Sequence, residues 1–121
     1  ALETELPDEI YIEGDFEWLS EGIRNVIKNC MESAKDGGWI RISCQDTVLY
    51  TEITVHDSGK GFEKEELSKV FERFYRGKDT KTAGYGIGLA LCRTIITRQG
   101  GTITAKNHPK GGALFVMRFP K

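Results

Sequence analysis

Long apolar runs are absent from this sequence. None of its 121 residues lie in a stretch approaching the roughly 18 consecutive apolar positions of a membrane-crossing helix. The opening, ALETELPDEIY, is acidic where a secretory leader would be basic and then apolar. These residues are therefore expected neither to cross a membrane nor to direct export. Cysteine is scarce: Cys30, Cys44 and Cys92 are an odd number, widely spaced and each set in an apolar run. That excludes a disulfide scaffold or zinc cluster and predicts buried free thiols in a reducing compartment. Excess charge is absent too, since 17 Lys+Arg face 18 Asp+Glu for a net −1, so bulk electrostatics predict no attraction to nucleic acid. With no repeat, low-complexity tract or linker, residues 1–121 read as a single domain.

What is present is a folded composition, 39% apolar and 29% charged, and a clear periodicity. Residues 9–13 alternate as a short strand, closed by Gly14, and Asp15 is placed to cap a helix. Over 16–34, Phe16, Leu19, Ile23, Val26, Ile27, Cys30 and Ala34 recur at three- and four-residue steps, which puts them on one helical stripe. Strands are expected at 39–44 and 49–56, joined as a hairpin through 45–47, then helices at 64–71 and 87–98 and strands at 102–106 and 113–119. Interspersed helices with hairpin-joined strands predict an α/β two-layer sandwich, a mixed sheet covered on one face by about three helices.

Three features carry chemistry. Asn25 and Asn29 stand four apart, so their carboxamides stack one turn above the other, displaced from the apolar stripe. Alone, such a pair reads as solvated surface, although helix interiors disfavour Asn. Asp57-Ser58-Gly59-Lys60-Gly61 follows a strand directly, offering an acceptor beside backbone that a ligand can approach; its bland reading is a turn with a solvated acid. Gly84-Tyr85-Gly86-Ile87-Gly88-Leu89 leads straight into a helix and presents bare amides and a helix N-terminus to an anion. Before it, Arg73, Arg76, Lys78 and Lys81 against Asp79 leave a local +3 suited to phosphates. A dinucleotide fingerprint fails, because Leu89 stands where its third glycine belongs, and no P-loop pattern occurs. His56 and His108 have no serine or cysteine set to form a triad and read as structural or surface residues.

Taken in order, these pieces resemble one family. Asn25-x-x-x-Asn29 resembles the N box of sensor histidine kinases, Asp57-x-Gly59-x-Gly61 the G1 box, Phe71-Glu72-Arg73-Phe74-Tyr75-Arg76 the F box and Gly84-x-Gly86-x-Gly88-Leu89 the G2 box. The resemblance runs from about residue 10 to 120 and is to the catalytic and ATP-binding domain, within the GHKL superfamily of gyrase, Hsp90 and MutL ATPases and their Bergerat fold.

The resemblance implies ATP and Mg²⁺ as cofactors. Asp57 would accept the adenine amino group, with Gly59 and Gly61 letting the base approach. Asn29 would hold Mg²⁺ and Asn25 support the same network. Residues 76–84 would form a lid, Arg76 with Lys78 or Lys81 neutralising phosphate charge, with Phe74 also at the nucleotide and Gly84, Gly86, Ile87, Gly88 and Leu89 around the phosphates. Asn25, Asn29 and Arg76 would be the catalytic set. Hydrolytic relatives carry a glutamate where Asn25 stands; a carboxamide cannot act as general base, which favours phosphoryl transfer over hydrolysis. The implied partners are a dimerisation domain bearing the phosphoaccepting histidine, expected outside these residues, and the receiver aspartate of a response regulator. The chain itself is expected to be monomeric, cytoplasmic and part of a homodimeric, membrane-anchored bacterial parent.

The sequence departs from the family pattern at Glu32 and Ser33, where a lysine and an aromatic are common, and at Ala113, where a hydroxyl residue often stands. Each predicts a weaker grip on ATP. Two other readings share the boxes: a degenerate nucleotide-binding regulatory module, and a serine kinase of the anti-sigma-factor type.

Overall fold

Asp15 starts the first helix as its residue type predicts: its Oδ1 accepts the Trp18 N–H over 3.1 Å and its carbonyl accepts the Leu19 N–H over 2.9 Å. The computed structural model describes residues 2–5, 15–34, 37–72 and 88–121. They form β1 (Leu2–Glu5), α1 (Phe16–Ala34), β2 (Ile40–Asp46), β3 (Tyr50–Asp57), α2 (Lys64–Leu67), α3 (Gly88–Arg98), β4 (Thr102–Asn107) and β5 (Ala113–Pro120).

The strands make one sheet in the order β1-β2-β3-β5-β4, with β1 parallel to β2 and every other pair antiparallel. Register decides which side chains share a face. Val55 lies opposite Ile42 and Phe115, and Ile53 opposite Cys44 and Met117, so these apolar residues point together toward the helices. By the same alternation Asp57 points to that face and His56 to the other. Helix α1 contributes Leu19, Val26 and Cys30 to the core, and α3 contributes Cys92 and Ile96. Burying such side chains contributes about 1.5–3 kcal/mol for each large aliphatic or aromatic. Phe115 is fully buried and packs in T-shaped pairs with Phe62 and Phe71, their ring centroids 5.9 and 6.4 Å away. Gln99 Oε1, just beyond α3, accepts the Asp15 N–H over 2.8 Å and ties the end of one helix to the start of the other.

The two-layer sandwich with a mixed sheet is as expected, with differences in detail. The expected strand at 9–13 lies outside the described residues; the strand beside β2 is formed by 2–5, which carried no strand signal. The hairpin turns at 47–49 rather than 45–47, because β2 runs on through Asp46. Thr47 holds that turn, its Oγ1 donating to the Tyr50 carbonyl over 2.9 Å. The helix expected at 64–71 is a single turn, Lys64–Leu67, followed by turns up to Glu72. Apolar spacing through Val70 and Phe71 suggested a continuous helix; these residues instead reach the core from a turn. Among the cysteines, Cys30 and Cys92 are buried, but Cys44 is only half-buried. No described helix is long and apolar enough to cross a membrane.

Candidate functional site

Asp57 ends β3 on the helix-facing side and is fully buried. Its two carboxylate oxygens have different surroundings. Oδ1 accepts the Gly59 N–H over 2.9 Å and the Ala113 N–H over 3.1 Å. Oδ2 is buried without a hydrogen-bond partner among the described residues. A buried acceptor left unpaired costs about 1–3 kcal/mol, so this oxygen is placed for a donor that the described residues do not supply.

Around it the loop is built from close backbone approaches. A Cβ on Gly59 would collide with the Ser33 hydroxyl and lie 2.8 Å from the Ser33 carbonyl oxygen, so the loop and the end of α1 touch here because position 59 has no side chain. Gly61 takes φ +77° beside Asn107. Asn107 Oδ1 accepts the Phe62 N–H over 2.7 Å while its amide donates to the Phe62 carbonyl over 2.8 Å, a reciprocal pair that fastens the loop to the end of β4. On the other side, the Ser58 hydroxyl accepts the Trp39 N–H over 2.8 Å.

Helix α1 brings the asparagines. Asn25, Asn29 and Ser33 follow at four-residue steps, so one stripe runs along the helix to the loop. Both asparagines are half-buried rather than solvated. Cys30, next to Asn29, places its thiol against Asp57. Burial first, then the charge and contact of the Asp57 carboxylate, push that thiol far above the usual cysteine range.

The structure thus gathers Asp57, Gly59 and Gly61 in one loop and brings the α1 stripe carrying Asn25 and Asn29 to it. Gly88 opens α3, and Leu89 packs half-buried against the core. Phe74, Arg76, Lys78, Gly84, Gly86 and Ile87 lie outside the described residues. Position 113 keeps one bond to Asp57 through its backbone N–H, which needs no side-chain hydroxyl. Sequence reasoning missed Cys30 as a neighbour of Asp57 and Asn107 as the anchor of the loop. The nearest available signal was the turn chemistry of Gly111 and Gly112.

Residues 14–121 match the family of histidine kinase-, DNA gyrase B- and HSP90-like ATPases. The chain belongs to that family. It is 33% identical over 98% of its length to the signal transduction histidine-protein kinase BaeS of Escherichia coli, and 37% identical over 94% to sporulation kinase A of Bacillus subtilis. It spans only 26% and 18% of those two proteins. Among solved structures, the mycobacterial sensor histidine kinase MprB matches 98% of the chain and 83% of its own at TM-score 0.86 and 25% identity. Histidine kinase ThkA, in a complex with the response regulator TrrA, matches 99% of the chain and 34% of its own at TM-score 0.83 and 25% identity.

Proposed function

We propose that this domain binds Mg-ATP and presents its γ-phosphate to a histidine on a separate dimerisation domain, for later transfer to an aspartate of a response regulator. The observation that carries the reading is the Asp57 carboxylate, one oxygen held by two backbone amides and the other buried without a hydrogen-bond partner among the described residues. An adenine amino group supplies the missing donor, whereas guanine presents a carbonyl oxygen at the same position and would face an acceptor with an acceptor. Membership of an ATPase family, and relatives named as histidine kinases, support the nucleotide and the reaction class.

The chain's own residues position and neutralise. Asn29 offers a neutral oxygen, and no cluster of three or more His, Cys, Asp or Glu that could hold a metal exists among the described residues. That donor set fits Mg²⁺, a hard cation that keeps water and phosphate oxygens as its other ligands. When bound, the ion would offset charge on the phosphates; Asn29 would hold it and Asn25 would orient the same network. Arg76 and Lys78 would add positive charge, and Gly84, Gly86, Ile87, Gly88 and Leu89 would cradle the phosphates with backbone amides, Phe74 packing nearby. The histidine nitrogen of the dimerisation domain would attack the γ-phosphorus as the bond to the ADP oxygen breaks. With Asn25 in place of a carboxylate, no side chain there takes a proton from water, which favours transfer over hydrolysis. The three free thiols support work in a reducing, cytoplasmic compartment, within a homodimeric parent anchored to the membrane outside these residues.

Calorimetric titration with ATP and GTP, with and without Mg²⁺, tests the reading. Micromolar to submillimolar ATP binding, selective over GTP and tightened by Mg²⁺, is expected. A folded chain that ignores millimolar ATP would overturn it and point to a degenerate module.

A further inference from the structure

His56 precedes Asp57 on β3 and faces the opposite side of the sheet, away from the proposed nucleotide. It is nonetheless buried. The Trp39 ring meets it edge-on with centroids 4.9 Å apart, and His108 stacks on it at 3.9 Å with the rings 14° from parallel. His56 Nε2 lies 2.8 Å from the Gly111 carbonyl oxygen. A carbonyl only accepts, so Nε2 carries the hydrogen and donates it.

That bond enters a turn that ends on Asp57. The His108 N–H donates to the Gly112 carbonyl and the Gly111 N–H to the His108 carbonyl, each over 2.9 Å. Gly112 takes φ +87°, and a Cβ there would overlap the Asp57 carbonyl oxygen and come 3.3 Å from His56 Nε2. The turn is therefore wedged between the imidazole and the backbone of Asp57. Its next residue, Ala113, gives the N–H that holds Oδ1. Losing either amide would free the carboxylate to rotate and misplace Oδ2.

We propose that His56 is a positioning residue for nucleotide binding: by clamping the Gly111 carbonyl it fixes the turn that aims the Asp57 carboxylate. The proposal rests on the nucleotide reading above. It gives His56 a role that touches neither base nor phosphate and that distinguishes an imidazole N–H at this position from any apolar ring or aliphatic side chain.

The test compares ATP affinity of the wild-type chain, His56→Leu and His56→Gln by calorimetry, each first checked for cooperative melting, and adds imidazole ¹⁵N spectra of the wild type. His56→Leu should weaken ATP about five- to tenfold, the loss of one neutral hydrogen bond. His56→Gln, whose amide N–H can reach the place of Nε2, should restore affinity to within about twofold. The spectra should show Nε2 of His56 carrying a proton. Equal affinity of the Leu variant and wild type, an equal loss in both variants, or an unprotonated Nε2 would overturn the proposal. If the Leu variant does not fold, the wild-type spectrum and the Gln variant still decide. A wild-type chain that does not bind ATP removes the nucleotide reading and this inference together; one that binds while the Leu variant binds equally removes only the inference.

Discussion

The Ala113 N–H donates to Asp57 Oδ1 over 3.1 Å, joining positions 56 residues apart in the chain. Because Gly59 uses the same oxygen, both backbone donors are spent on Oδ1 and the orientation of Oδ2 is set by the fold rather than by a ligand. Asp57→Asn keeps an oxygen for those two amides but converts the bare acceptor into an NH₂ donor. An adenine amino group would then meet a donor. ATP affinity should fall at least tenfold, about the cost of one buried unpaired polar group, while the melting temperature changes little. Calorimetry paired with thermal melting checks this; a variant that binds ATP as tightly as wild type would remove Asp57 from base recognition.

The thiols should separate by accessibility. Cys30 is buried with its thiol raised by burial and by Asp57, and Cys92 is buried with its thiol pushed up to about 12 by burial. Cys44 is half-buried, its thiol raised chiefly by burial and then by Asp46. Nucleophilic attack needs thiolate and access. Near pH 8 an aromatic disulfide reagent should modify one thiol per folded chain, Cys44, and three after denaturation. Mass mapping that found Cys30 modified first in the folded chain would contradict the core described for α1.

Much of this was legible in the sequence because it depends on short-range chemistry. The stripe through Leu19, Val26 and Cys30, the Asp15 cap and the glycines of the 57–61 loop are local signals, and they located the helix, its start and the loop correctly. Asn107 and His56 were not legible. Their roles arise from pairs 45 and 55 residues apart, created by the β3-β5-β4 register, and no local pattern encodes them. The single-turn α2 was misjudged for a related reason: the apolar spacing of Leu67, Val70 and Phe71 is satisfied equally by a helix and by a turn pressed against Phe115.

Acidification should destabilise the chain through His108. Its Nδ1 accepts the Lys110 N–H over 3.0 Å, so protonation there breaks a bond. Desolvation first, then interaction with His56, Lys110, Arg41 and Lys106, holds His108 below the ordinary 6.5. The unfolded chain therefore binds this proton at higher pH than the folded one. The stability involved is present above about 6.5 and is lost as pH falls toward the folded value. Melting temperatures followed from pH 8 to 5.5 should decline below neutrality, and His108→Gln should flatten the decline. A wild type that gains stability on acidification over that range would reverse the sign argued here.

Gly59 is the position where the loop and α1 have no room to part. Gly59→Ala adds a methyl that must displace both the Ser33 hydroxyl and its carbonyl oxygen, at a cost of about 1–3 kcal/mol for overpacking. Removing the hydroxyl alone, in Gly59→Ala with Ser33→Ala, relieves only half the conflict, because the carbonyl at 2.8 Å belongs to the helix backbone. The double variant should therefore recover part of the lost stability in urea titration. Full recovery would show that the hydroxyl was the whole obstacle, and no loss in the single variant would show that the loop moves freely against α1. ATP affinity should follow the same order, since displacing Gly59 moves the amide that holds Asp57 Oδ1 at 2.9 Å. A stability loss with unchanged affinity would separate the packing of this loop from its proposed role in aiming the carboxylate.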